Sequence, residues 1–403
     1  MNKRIFILDS LKTIGSSLLI AFGLQLIAYP FLINIIGNNA FGKILTIYTL
    51  LTIISVVVGN TLNNIRLINV DSYDPNKINF AFMKILLGST TLVSAMLIPL
   101  LIYYFNLEII TIVLILLINF FMTMRVYLIV FYRMKLEYNK IIYVSIFQFI
   151  GLLIGMLIFF AFRLWGLLFL SSELLACIYI LINLYRRKMF KKLEYINDSK
   201  SILKDYIYLL STNLLNNIAL YLDRIILLPI IGGTAVTIAY LATFIGKILA
   251  TFLYPINNVV LSYISVKKNN NKIRQYLLVV TSGTILSLFV LIICYPVTIV
   301  IIERIYMQNS EAIKNYIIIG NLSILIGVIC NLIQSLNTKY VDLKIQTIFQ
   351  TIYSVIFIFI VIILTVMYGI IGFFISSILG NLFKMCLLLA IGYKYANIRE
   401  IEK

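Results

Sequence analysis

Apolar residues run for about 20 positions at a time along this chain, broken by short clusters of charge, Gly and Asn. About 20 apolar residues is the length of helix that crosses the hydrocarbon core of a bilayer. The alternating pattern of a membrane β-barrel is absent. The breaks predict twelve spans, at roughly 12–36, 42–65, 80–105, 108–132, 139–161, 165–185, 206–231, 235–263, 275–302, 315–337, 345–368 and 370–393. Very tight turns join spans 3 and 4, and spans 11 and 12.

Composition strengthens that picture. The 403 residues are 62% hydrophobic, with a mean hydropathy of +1.04, which no water-soluble domain carries. Met1, Asn2, Lys3 and Arg4 form a basic start, but the apolar run behind them is long enough to span and lacks a small-residue cleavage site, so no removable leader is expected. The four Cys lie in apolar spans with no disulfide or zinc spacing. The absence of His excludes a His metal site, a Ser–His triad and a His proton relay.

The net charge of +18 points to lipid headgroups rather than nucleic acid once its distribution is seen. Of 33 Lys and Arg, 26 fall in loops and span ends on one side and only Lys43, Arg163, Arg304 and Lys314 on the other. Positive charge retains loops in the cytoplasm, so both termini are expected there. The remaining three, Arg224, Lys247 and Lys384, lie within apolar spans. Trp165 falls at the outer end of span 6, where an aromatic anchor belongs.

The longest inner loop separates six spans from six. It predicts an N-terminal lobe over 1–190, a basic cytoplasmic linker over 191–204 and a C-terminal lobe over 205–403. An internal echo supports the division. Ile35-Ile36-Gly37-Asn38-Asn39-Ala40 closes span 1, and Ile230-Ile231-Gly232-Gly233-Thr234-Ala235 closes span 7. Phe169-Leu170-Ser171-Ser172 and Phe374-Ile375-Ser376-Ser377 form a second pair. With six spans per half, the pseudo-two-fold runs along the membrane normal, and substrate is expected at the lobe interface. The fold class is thus an all-α polytopic membrane protein, with about twelve transmembrane helices in two pseudo-symmetric six-helix lobes around a central cavity.

Charges inside the spans mark candidate chemistry, because an ion at the bilayer centre is costly unless hydrated or paired. Lys247 and Lys384 sit near the midplane. Arg224 belongs to the most polar span, whose Asn213, Asn217 and Arg224 follow a helical period with Asn216 and Asp223 beside them. The Asp223 and Arg224 side chains diverge by about 100°. They read either as structural ion pairs to other spans or as an anion-binding Arg224 oriented by Asp223. Arg125 is a fourth candidate cation, with snorkelling to the inner surface as its alternative. Glu173 and Asp223 are the intramembrane carboxylates. Burial disfavours the charged form, so either could couple transport to a proton or sodium gradient, and Glu173 could equally neutralise a fixed Lys. Asn331, Gln334, Ser335 and Thr338 share one face of span 10, and Gln25 adds an amide in span 1. Amides suit a sugar cargo and equally suit interhelical bonding.

These features resemble the polysaccharide repeat-unit flippases of the O-antigen and capsule kind, within the multidrug/oligosaccharidyl-lipid/polysaccharide exporter superfamily. The residues carrying the resemblance are Gly37, Phe41 and Gly42 in the first outer turn, and Tyr132-Arg133 leaving span 4. In the second half they are Tyr221-Leu222-Asp223-Arg224, Ile231-Gly232, Ala239-Tyr240 and Tyr368-Gly369. The second-half turn departs from the first, with Val236-Thr237 against Phe41-Gly42. The resemblance implies a flippase in a bacterial cytoplasmic (inner) membrane. Its cargo would be an undecaprenyl-diphosphate-linked oligosaccharide, moved from inner to outer leaflet by alternating access, as in lipopolysaccharide and other polysaccharide biosynthesis. It implies a monomer working beside glycan polymerase machinery. No cofactor is expected.

In that reading Arg224, Lys247, Lys384 and Arg125 meet the diphosphate, and Asn213, Asn217, Asn331, Gln334 and Gln25 meet the sugars. No catalytic residue, metal site or nucleotide motif is expected, so the protein is not expected to be an enzyme. Two rivals remain: an ion-coupled antiporter for drugs or small solutes of the same superfamily, which would favour carboxylates over cations in the spans, and a membrane glycan polymerase or ligase, which would need a large reactive outer loop.

Overall fold

The computed structural model describes residues 3–68, 77–189, 193–194, 199–266, 272–308, 310–341 and 343–401. They are almost entirely helical. The α-helices are α1 (Lys3–Phe22), α2 (Tyr29–Ile36), α3 (Asn38–Ser55), α4 (Thr61–Ile68), α5 (Phe80–Pro99), α6 (Ile109–Leu128), α7 (Val130–Arg133) and α8 (Tyr138–Phe162). They continue with α9 (Trp165–Arg186), α10 (Ser199–Leu220), α11 (Leu222–Ile230), α12 (Gly233–Val266), α13 (Lys272–Arg304), α14 (Glu311–Tyr340) and α15 (Leu343–Ile401). Three π-helical segments, Gly23–Ala28, Val56–Asn60 and Leu100–Tyr104, carry α1 into α2, α3 into α4 and the end of α5. A wider turn keeps the backbone bonded while the side-chain register shifts.

This is a multi-pass membrane protein. Among the described residues ten helical segments are long and apolar enough to cross a bilayer, against the twelve expected. The difference has two causes. Spans 11 and 12 form one run, Ile348–Lys394, turned back at Gly369, where φ 64° and ψ −142° are open to glycine alone. Span 7 is broken at Tyr221 into α10 and α11, and its Asn and charged residues keep it below span hydropathy.

The chain forms two compact units. The first comprises Met1–Leu32 and Ile44–Tyr221, the second Ile33–Lys43 and Leu222–Lys403. By contacts, then, α10 belongs with the first unit and the turn after α2 with the second. Of the basic linker 191–204, Lys191, Lys192 and residues 195–198 lie outside the described residues, as do Lys267 and Lys268. Leu193–Glu194 is described: it pairs in parallel with Ile78–Asn79, a two-residue ladder that fastens the linker to the first unit.

In the first unit a buried cluster gathers Leu62, Ile65, Phe82, Leu86, Tyr127, Phe131, Ile180 and Leu184, with Arg66 also buried there. In the second unit the two echoed turns both use a glycine at positive φ. Gly37 (φ 80°) and Gly232 (φ 114°) each end a helix in the left-handed region. They also pack together: a Cβ on Gly42 would lie 1.9 Å from the Gly233 carbonyl oxygen, and the Thr237 hydroxyl donates to the Asn38 carbonyl at 2.6 Å. The departure at Thr237 therefore supplies a bond between the turns that Gly42, its counterpart, could not.

Candidate functional site

In the first unit one polar cluster lies deep among α6, α8 and α9. Arg125 of α6 donates Nε to Glu173 Oε2 at 2.6 Å and Nη2 to Oε1 at 3.2 Å, a two-point pair. Gln148 of α8 donates to the same Oε1 at 2.9 Å. The Glu173 side chain is 1% exposed and that of Arg125 15%. The Ser172 hydroxyl donates to the Gln148 carbonyl at 2.8 Å and that of Ser171 to the Gly151 carbonyl at 2.7 Å, so the carboxylate rests on a close helix pair. This corrects two expectations. Arg125 is not an open cation awaiting an anion, because Glu173 covers two of its nitrogens. Glu173 neutralises an arginine rather than a lysine.

The amides of span 7 are mostly structural. Asn213 donates to the Thr61 hydroxyl at 2.8 Å, and Asn217 donates to the Asn213 carbonyl at 2.8 Å. The Asn216 side chain lies outside the described residues. Gln25 is half-buried within the π segment Gly23–Ala28.

In the second unit Asp223 pairs with Lys247, Oδ2 to Nζ 2.5 Å, joining α11 to α12. Of the two alternatives for this pair, Asp223 takes the structural one, an ion pair to a neighbouring span, and the Arg224 guanidinium lies 5.3 Å from the Tyr240 ring centroid. Tyr240 in turn meets the Tyr306 hydroxyl at 3.3 Å. Both Asp223 and Arg224 are buried.

Lys384 stands in a different place. It lines a shallow, open groove together with Gln334, Asn337, Gln346, Phe349, Gln350, Tyr353, Leu387, Leu388 and Ile391. Arg224 and Lys247 are not among the lining residues, so this pocket does not unite the three span cations. Of the expected amides, Gln334 joins Lys384 there and Asn331 does not; the Ser335 and Thr338 side chains lie outside the described residues. Sequence reasoning missed Gln346, Gln350 and Tyr353, whose helical spacing was available to it.

It also missed Arg66, placed at an inner span end by charge alone. The side chain is fully buried, donating to the Tyr127 hydroxyl at 3.1 Å and the Lys77 carbonyl at 2.6 Å, with its guanidinium 4.5 Å from the Phe131 ring centroid. Nearby Arg133 donates to Asn63 at 2.9 Å. Between α7 and α8, Glu137 pairs with Arg187 and with Lys140 at 3.3 Å. Burial pushes the Glu137 carboxyl up, but the hydrogen bonds and charges of Arg187 and Lys140 outweigh it and hold it below the usual carboxylate range. No group of three or more metal-ligating side chains occurs among the described residues.

No protein-family model matches this chain, and no curated protein does. Solved structures do. The chain is similar to a multidrug-resistance MATE family transporter of the MOP superfamily in an inward-facing conformation, with a TM-score of 0.65 at 12% identity over 96% of this chain and 95% of that one. It is similar to the lipid II flippase MurJ in an inward closed conformation, with a TM-score of 0.64 at 16% identity over 95% and 87%. It is also similar to the Vibrio cholerae MATE transporter VcmN in a bent form, with a TM-score of 0.58 at 15% identity over 99% of each chain. At these identities the likeness establishes the fold alone, one shared with those solved structures.

Proposed function

We propose that this chain is a flippase carrying an undecaprenyl-diphosphate-linked oligosaccharide repeat unit from the inner to the outer leaflet of a bacterial cytoplasmic membrane. The observation that carries this reading is the pairing of charge inside the spans. The sequence places four cations there, Arg125, Arg224, Lys247 and Lys384, against two carboxylates, Glu173 and Asp223. Each carboxylate is engaged by one cation, Arg125 or Lys247. Lys384 lies among amides and is in no ion pair among the described residues. An excess of cations attracts a diphosphate and repels an organic cation. The pairing leaves no span carboxylate open to bind a cationic drug.

Alternating access between six-helix lobes would move the head group while the polyprenyl tail stays in lipid, and both termini would be cytoplasmic. Sugar contacts would fall to amides such as Gln334. The role is transport without bond chemistry, in a monomer serving glycan polymerase machinery.

The fold supports a second reading equally, since MATE transporters share it: antiport of a small solute driven by an ion gradient. In that case Glu173 or Asp223 would release its cation partner during the cycle.

The two part in one experiment. Purified protein in vesicles is given a fluorescent polyprenyl-diphosphate oligosaccharide, and leaflet exchange is followed by quenching from outside. Exchange above empty vesicles supports the flippase. No exchange, with dye efflux driven by a proton or sodium gradient, supports the antiporter and refutes our reading.

A further inference from the structure

The Lys384 pocket is a groove with two unlike ends. Gln346, Gln350 and Tyr353 stand at i, i+4 and i+7 on α15 before its Gly369 turn, and Lys384, Leu388 and Ile391 repeat that spacing after it. Both faces line the groove with Gln334 and Asn337 of α14. Seven residues of helix make it about 10 Å long.

At the Ile391 end the amides hold the wall together. Gln346 donates to the carbonyls of Asn337 at 2.9 Å and Val341 at 3.0 Å. Asn337 donates to the Leu388 carbonyl at 2.9 Å and accepts from the Tyr276 hydroxyl at 2.7 Å. All of these groups are matched.

At the other end the donors outnumber the acceptors. Tyr353 is 9% exposed, stacked on Phe357, and its hydroxyl has no hydrogen-bond partner among the described residues. The Lys384 ammonium lies 5.8 Å from the Tyr353 ring centroid and in no ion pair among the described residues. No Asp or Glu is among the described lining residues. A buried hydroxyl left unmatched destabilises the fold, and an ammonium carries three donors and no acceptor. Such an end is complete only when a ligand brings negatively charged oxygens. Gln350, between the two ends, can both donate to and accept from a hydroxyl. Phe349 and Leu387 give the groove an apolar rim.

We propose that this groove binds a hydroxylated oxyanion, its phosphate or carboxylate oxygens held between Lys384 and Tyr353 and its hydroxyls along Gln350. Such a group is found on an acidic sugar of a glycan cargo and on a glycerophospholipid head. The site belongs wholly to the second unit and does not depend on the chain being a flippase.

The test uses the full-length protein in neutral phosphatidylcholine nanodiscs. Glucuronate and glycerol 1-phosphate are titrated by calorimetry, and a parallel sample carries phosphatidylglycerol, its retention read by native mass spectrometry. The wild type is expected to bind a soluble probe or retain phosphatidylglycerol over phosphatidylcholine. Binding should fall about tenfold or more in Lys384→Gln, the loss of a charged hydrogen bond, and about threefold to tenfold in Tyr353→Phe, the loss of a neutral one. Lys384→Arg should retain it and shows that the site folds. Glucuronate binding without lipid retention identifies a sugar source, and retention alone a lipid source. The proposal is overturned if the wild type takes neither probe nor lipid above background, or if both Lys384→Gln and Tyr353→Phe bind like the wild type. Binding by a wild type that moves no glycan refutes the flippase reading and leaves the groove standing.

Discussion

Glu173→Gln is the most informative single change in the first unit. It removes one charge and keeps the shape. Glu173 takes two hydrogen bonds from Arg125 and one from Gln148 in a pocket that leaves its side chain 1% exposed. At an effective dielectric constant of about 20, two unit charges about 3 Å apart attract by roughly 5–6 kcal/mol, most of which offsets the desolvation of both ions. Removing one partner strands the other, at a cost of about 3–5 kcal/mol. A hydrogen bond to a charged group contributes about 1.5–3 kcal/mol, less than stranding an ion costs. Gln148→Leu should cost about 1.5–3 kcal/mol, Glu173→Gln and Arg125→Leu about 3–5 kcal/mol each, and Arg125→Leu with Glu173→Leu together should return to within about 2 kcal/mol of wild type. Unfolding in mixed micelles, followed by circular dichroism on monodisperse protein, measures all four. Glu173→Gln costing no more than Gln148→Leu would refute the argument, as would a double variant whose loss is the sum of the singles. A stable double variant that still transports would assign the pair to architecture rather than to ion coupling.

Three further outcomes follow from the same geometry. Asp223→Asn should cost about 1–3 kcal/mol, less than Glu173→Gln, because Lys247 is 26% exposed and can rehydrate; the same unfolding series checks the ranking. Glu137 has a depressed folded value, so its contribution is present above the unfolded carboxyl value of about 4.3 and is lost as pH falls through the folded one. Its side chain is a third exposed, so the effect stays below about 1 kcal/mol: the unfolding midpoint should drop less between pH 7 and pH 3 in Glu137→Gln than in wild type. Gly42→Ala should cost at least about 3 kcal/mol because its Cβ meets the Gly233 backbone, whereas Gly37→Ala, in open space at positive φ, should cost only about 1–2 kcal/mol; equal losses would contradict the packing of the two turns.

The pattern of apolar runs located the single-pass spans well where charge or Gly ended them. Spans predicted at 139–161 and 165–185 are Tyr138–Phe162 and Trp165–Arg186. It did less well where polarity enters a span, as at Tyr221, since hydropathy averages over a break that one turn of backbone decides. Partner choice was not legible. Arg125 and Glu173 lie 48 residues apart, and no local spacing joins them. A charge count was the available signal: two carboxylates in apolar spans must each find a cation. Arg66 was misread because positive charge near a span end indicates a side of the membrane and says nothing of burial. The groove around Lys384 was half legible. Gln334 stood out as an amide on a polar face, while Gln346, Gln350 and Tyr353 carry the same helical period in a stretch where the apolar run commanded attention.

Gly369 gives the last two spans a consequence of another kind. A continuous α15 of 59 residues would be a rod of about 88 Å, nearly three times the hydrocarbon thickness of about 30 Å. One backbone conformation, closed to every side chain, folds that rod into a hairpin without a loop. The two crossings must therefore enter the bilayer together, because neither has a polar segment that would let it wait for the other. Any other residue at this position would strain the hairpin that brings Tyr353 to Lys384, groups that would stand about 47 Å apart along a single helix.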